Sequence, residues 1–178
     1  MGKHLGEGLP LVWVLTSARY ELVYNEIFST LKSKAEKYRE TFALEFVYLD
    51  FEQACINAVE SEFPAATIRG CWFHYTQCLY RKIQKLGLST LYEENDSVCQ
   101  WLRSFMDITL IDGDVITGAI TLLRENLPSD NGLPAKFLKY FDKQWVQKVS
   151  PKYWNLGPHH LRTNNLVEGN SENIQHWK

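Results

Sequence analysis

The 178-residue sequence lacks several features that would place it quickly. No apolar run approaches the roughly 20 residues needed to span a bilayer. The nearest candidate for a leader is the stretch from Leu9 to Leu15 ahead of small Thr16-Ser17-Ala18. It is short, follows Glu7 and has Pro10 near its start, so it reads as a buried strand rather than a signal. A myristoylation signal is also missing, because Gly6 stands where Ser or Thr is favoured. There is no basic excess: 19 Lys and Arg face 21 Asp and Glu, for a formal net charge of −2. A stand-alone phosphate-neutralising domain normally carries such an excess, so any DNA contact must be local or shared with other segments. The four cysteines, Cys55, Cys71, Cys78 and Cys99, are too few for a secreted disulfide framework, which makes a reducing, intracellular setting the expectation. No glycine-rich phosphate loop, Gly-x-Ser-x-Gly elbow, His-Glu-x-x-His helix or internal repeat is found.

Apolar residues make up 45% of the chain and aromatics 13%, ample for a packed core. Leu11 to Thr16 is a β-branched and apolar run that reads as a strand. Tyr20, Val23, Tyr24, Ile27, Phe28 and Leu31 then follow helical spacing, with polar residues on the other face. Ala43 to Leu49 is a second strand ending at Asp50. Phe51, Ala54, Cys55, Ala58, Val59 and Phe63 form a helical stripe stopped by Pro64, and Thr67 to Trp72 reads as a third strand. A helix over 74–86 ends before Gly87, a natural residue just past a helix end. This alternation of strand and helix signals α/β layering. The second half carries only helical patterns, around Trp101 to Met106, Val115 to Leu123 and Phe137 to Trp145, the last with Pro134 near its first turn. A Pro-, Gly- and His-bearing loop over 150–163 leads to a final helix over 165–177.

Few residues could carry chemistry. Asp50 stands at the carboxyl end of a strand, the edge where ligands bind in open α/β sheets. It is equally a favourable N-cap, with Gln53 placed as the second half of a capping box, and both readings stand. Glu168 lies in Arg162-Thr-Asn-Asn-Leu-Val-Glu-Gly169, where a Glu in a first helical turn is ordinarily a macrodipole partner. Cys71 and His74 have metal-ligand spacing, but zinc needs four ligands. Cys78 or His159-His160 could complete such a set only through the fold, so a structural role is favoured over zinc. Arg81, Lys82 and Lys85 form a basic edge, read as a solvated face in preference to a DNA contact.

Taken in order, Asp50-Phe-Glu-Gln-Ala54, Phe63-Pro64, Gly70-Cys-Trp-Phe-His-Tyr-Thr-Gln77 and Arg81-Lys-Ile-Gln-Lys-Leu-Gly-Leu88 resemble the Mutator-like element (MULE) transposase domain. Tyr140-Phe141, Trp154-Asn155 and the 162–169 segment resemble its tail. The resemblance implies a DDE-type, ribonuclease-H-like α/β fold with a helical insertion: a partial core over 9–88, the insertion over 89–150, and a loop and final helix over 151–178. By position Asp50 matches the second catalytic Asp and Glu168 the Glu, while Cys71 and His74 match the family's Cys-x2-His motif. The implied chemistry is DNA strand cleavage and joining by two-metal phosphoryl transfer, with Mg²⁺ or Mn²⁺ held about 3.5–4 Å apart by carboxylates. DNA ends and target would be the partners, a homo-oligomer the assembly, and the nucleus the location. The family's first Asp lies on a strand upstream of Leu11, where Glu7 is the sole carboxylate here, and Ser171 replaces a frequent His. The expectation is therefore an N-terminally truncated fragment, inactive alone. A non-enzymatic DNA- or protein-binding module derived from a transposase is the alternative.

Overall fold

The computed structural model describes residues 2–4, 7–9 and 12–157. The chain is mixed α/β and mostly helical. It divides into two compact units, the first running to Ile68 and the second beginning at Arg69.

The first unit opens on a short antiparallel hairpin, β1 (Gly2–His4) and β2 (Glu7–Leu9), in which Lys3 pairs with Gly8. This hairpin was not expected from the sequence. The strand expected over Leu11 to Thr16 does not form: residues 12–16 have no regular structure, Trp13 is 70% exposed and Leu15 fully so. A run apolar on both faces makes a strand only when neighbours pair its backbone and layers cover both faces. No described strand lies against it.

Helix α1 (Glu21–Lys37) follows the expected stripe but contains no buried residue. It packs on α2 (Gln53–Glu62), which buries Ile56, Ala58 and Val59. Tyr24 Oη donates to the Glu52 carboxylate at 3.0 Å, and Lys32 Nζ meets the Glu62 carboxylate at 2.9 Å. That ammonium also lies 4.6 Å from the centre of the Phe63 ring, against which Phe28 sits edge-on at 5.4 Å. Strand β3 (Phe46–Leu49) precedes α2, and β4 (Thr67–Gly70) follows it to form a two-stranded parallel sheet. The Thr67 amide donates to the Glu45 carbonyl at 2.8 Å, fixing the start of that pairing.

The second unit is helical. Helix α3 (Trp72–Lys85) buries Tyr75, Leu79 and Ile83, one line at four-residue spacing. It ends at Leu86, and Gly87 takes the left-handed φ of 75° expected just past a helix end. Then come α4 (Ser89–Glu94), α5 (Asp96–Asp107), α6 (Ile116–Glu125) and α7 (Leu133–Phe141). Pro134 sits in the first turn of α7, as its fixed φ favours. The expected helix through Trp145 continues, but as a π-helical segment, Asp142–Lys148. Its wider turn slows the rotation of successive side chains, so Trp145 keeps to the inward line of Phe137 and Phe141. The loop expected from Ser150 holds a short helix, α8 (Pro151–Trp154). Ser150 caps it, accepting from the Lys152 amide at 3.4 Å, with Pro151 at the first position; that Ser-Pro start signal was overlooked.

Aromatic rings build this unit's core. Phe105 lies 4.6 Å from Phe141 and 5.3 Å from Phe137 between ring centres, while Tyr75 stacks on Trp154 at 5.4 Å and meets Trp145 edge-on at 4.8 Å. Their polar atoms are satisfied, as burial requires. Tyr75 Oη donates to the Phe105 carbonyl at 2.7 Å, Trp154 Nε1 to the Trp145 carbonyl at 2.7 Å, and Trp101 Nε1 to the Leu123 carbonyl at 2.8 Å. No helix among the described residues is long and apolar enough to cross a membrane.

Candidate functional site

Asp50 lies exposed immediately after β3, at the carboxyl end expected from the sequence. It is not the N-cap residue of the following helix. The N-cap of α2 is Glu52, whose side chain makes no capping bond, so the proposed Asp50–Gln53 capping box is absent. The cause is Phe51, which has a left-handed φ of 57°. For a bulky side chain that conformation costs of order 1–3 kcal/mol, and such outliers concentrate at functional turns. It swings the chain away from the strand and leaves Asp50 outside the first helical turn.

The surroundings of Asp50 are acidic and partly buried. Cys55, in the first turn of α2, has its thiol pushed up to about 11 by burial, then by the charges of Glu52 and Asp50. Tyr24 of α1 is pushed up to about 12 by burial and by its hydrogen bond to Glu52, with the charges of Glu52 and Cys55 adding to the effect. Asp50, Glu52, Cys55 and Tyr24 thus form one electrostatic neighbourhood at the strand end. By spacing Tyr24 and Cys55 belong to helical core stripes, and Glu52 is recognisable in the sequence only as part of the Asp-Phe-Glu motif.

Glu168 and His159-His160 lie outside the described residues, as does the final helix expected over 165–177. In the second unit, Cys71 is fully buried at the N-cap of α3, and its side chain makes no capping bond. His74 is half-buried at the third position of that helix, edge-on to Phe73 with ring centres 5.5 Å apart. The Cys-x2-His spacing therefore joins an N-cap residue to one in the first turn. Cys78, one turn further, has its thiol raised by burial and lowered by Arg81. Among the described residues no group of three or more His, Cys, Asp or Glu could hold a metal ion. Of the basic edge, Arg81 and Lys85 are exposed, while Lys82 is half-buried with its ammonium 4.7 Å from the centre of the Tyr140 ring.

The tail pair Trp154-Asn155 has a structural account. Trp154 completes the aromatic core, and Asn155 Nδ2 donates to the Ile111 carbonyl at 2.9 Å and the Thr109 carbonyl at 3.3 Å. A Cβ at Gly113 would come within 3.0 Å of Asn155 Oδ1, so glycine there lets the amide approach.

These features define a mixed α/β protein whose first unit sets a carboxylate at the end of a short parallel pair. Residues 1–78 match the family model of the MULE transposase domain, the family that the sequence motifs resemble. The matched segment contains Asp50, Cys71 and His74; the Arg81–Leu88 motif and the tail motifs lie beyond it. No curated protein and no solved structure matches the chain.

Proposed function

We propose that this chain is a transposase-derived catalytic fragment, with Asp50 and Glu168 as carboxylates inherited for metal-dependent DNA strand cleavage and joining. The MULE match over residues 1–78 carries the reading, with Asp50 lying inside the matched segment. The finer fold it implies is a partial ribonuclease-H-like core over 9–88, with a helical insertion over 89–150 and the last carboxylate carried within 151–178. The position of Asp50 at the carboxyl end of β3 supports this assignment. DNA is the partner such a domain acts on, and the nucleus is where that action takes place.

The described residues do not by themselves fit a two-metal centre, since no group of three potential ligands is present among them. Asp50 contributes one hard-oxygen donor suited to Mg²⁺ or Mn²⁺. The proposal therefore requires Glu168 as its companion, with Cys71 and His74 as family-motif residues rather than zinc ligands. A site short of ligands binds divalent ions weakly, so the chain alone is expected to be inactive in strand cleavage. Calorimetric titration with Mn²⁺ tests the assignment. Weak binding that Asp50→Asn reduces at least tenfold, or about 1.4 kcal/mol, is the expected result. Indistinguishable titrations of the variant and the unaltered chain would remove Asp50 from the site.

A further inference from the structure

The net charge of −2 conceals a local excess. Between residues 133 and 152 the chain carries five lysines and a single acid, Asp142. Arg124 of α6 holds that acid at 2.6 Å. The π-helical segment turns Trp145 inward to 2% exposure while Lys143, Gln147 and Lys148 remain exposed. With Tyr140 and Gln144 these three line a concave depression of about 450 Å³. A second hollow of about 440 Å³ shares Lys143 and Gln147 and adds Lys139 and the paired Asp142. Lys82 of α3 lies beside them, its ammonium over the ring of Tyr140, which lines the first hollow. A ring face orients a cation without cancelling its charge. Burial raises the Tyr140 hydroxyl, so it adds no negative charge at ordinary pH.

We propose that the concave face formed by Tyr140, Lys143, Gln144, Gln147 and Lys148, with Lys82 beside Tyr140, binds the phosphodiester backbone of duplex DNA. Charge complementarity argues for a polyanion: Lys143 and Lys148 line one hollow, Lys139 and Lys143 the next, Lys82 lies over the Tyr140 ring, and the one acid among them, Asp142, is paired with Arg124. The glutamine amides add donors of the kind that phosphate oxygens accept. The lysines neutralise phosphate charge, which carries no sequence information, so binding through them is independent of sequence and sensitive to salt. The choice of DNA as the polyanion rests on the transposase reading. The surface itself lies beyond the matched residues 1–78 and needs neither Asp50 nor a metal.

Fluorescence anisotropy of the full chain with a labelled 20-base-pair duplex, followed across salt concentrations, tests this. Lys143→Gln/Lys148→Gln is expected to weaken binding at least tenfold and to reduce the log–log salt slope by about 2, at roughly 0.9 per phosphate contact. Lys82→Gln should lower the slope by about 1 on the same scale. The charge-conserving Lys143→Arg/Lys148→Arg should bind like the unaltered chain, which separates charge from fold. A matched change in the first unit, Lys34→Gln/Lys37→Gln, should leave binding in place. Equal weakening by both charge-neutralising doubles would overturn the proposal, as would no weakening by the first. Polyglutamate competing better than unlabelled duplex at equal charge would also overturn it, in favour of an acidic protein partner. Asp50→Asn should bind duplex normally, so failure of the metal assignment and failure of this surface give different results.

Discussion

At the scale of single residues, the strand-end aspartate was legible and its surroundings were not. The apolar run up to Leu49 places Asp50 at the end of β3, although that strand is only half-buried rather than the buried strand expected from the run. The capping-box reading failed because it assumed a direct passage from strand to helix, whereas Phe51 enters left-handed space and delays the helix to Gln53. Nothing local in the sequence announces a bulky residue there, since such strain is imposed by the surroundings. The closeness of Asp50 and Glu52 to Cys55 leads to a direct test. The Cys55 thiol, raised to about 11, should react slowly with a disulfide reagent at pH 8, because little thiolate is present. Asp50→Asn and Glu52→Gln should each shift the reactivity profile to lower pH, and unchanged profiles would mean these charges do not reach the thiol. For the linkage sign, a raised folded-state value favours the protonated thiol in the native state. The associated stability is complete below the ordinary thiol range and is lost as pH rises toward 11. Denaturant melts between pH 8 and 11 should show that decline, and Cys55→Ala should flatten it.

Among elements, helices were read well and strands poorly, for a physical reason. A helix satisfies its backbone within one segment, so the stripe through Trp101, Leu102 and Phe105 sufficed to foresee α5. A strand depends on a partner that may be distant in sequence, which is why the run over 12–16 misled while β3 and β4, paired around α2, did not. Helix ends were partly visible. Gly87 was anticipated just past α3, and Gly87→Ala should cost about 1 kcal/mol in a denaturant melt, because alanine resists positive φ. Asn95 was not singled out, yet its side chain caps α5, accepting from the Val98 amide at 3.1 Å. Asn95→Ala should also lose about 1 kcal/mol, and no loss would show that another group satisfies that amide. Replacing fully buried Phe105 by alanine should be far costlier, about 3–5 kcal/mol, because it opens a cavity among Phe137 and Phe141.

For the whole molecule, ordered motifs said more than any one of them. Asp-Phe-Glu, Phe-Pro and Gly-Cys-x-Phe-His are each common chemistry, but their sequence over residues 50–77 falls inside the segment that matches the MULE transposase domain. The α/β character and the helical second half were likewise legible from the change of periodicity. The companionship proposed for Asp50 and Glu168 is of another kind, because residues so distant along the chain could meet only through tertiary packing, which no local pattern encodes. A double-mutant cycle on Mn²⁺ affinity measures that companionship directly, using the unaltered chain, Asp50→Asn, Glu168→Gln and the double variant. If the two carboxylates hold one ion, each single change should weaken binding at least tenfold, and the double should do little more than either. Independent, additive losses, or no loss from either change, would contradict the shared site.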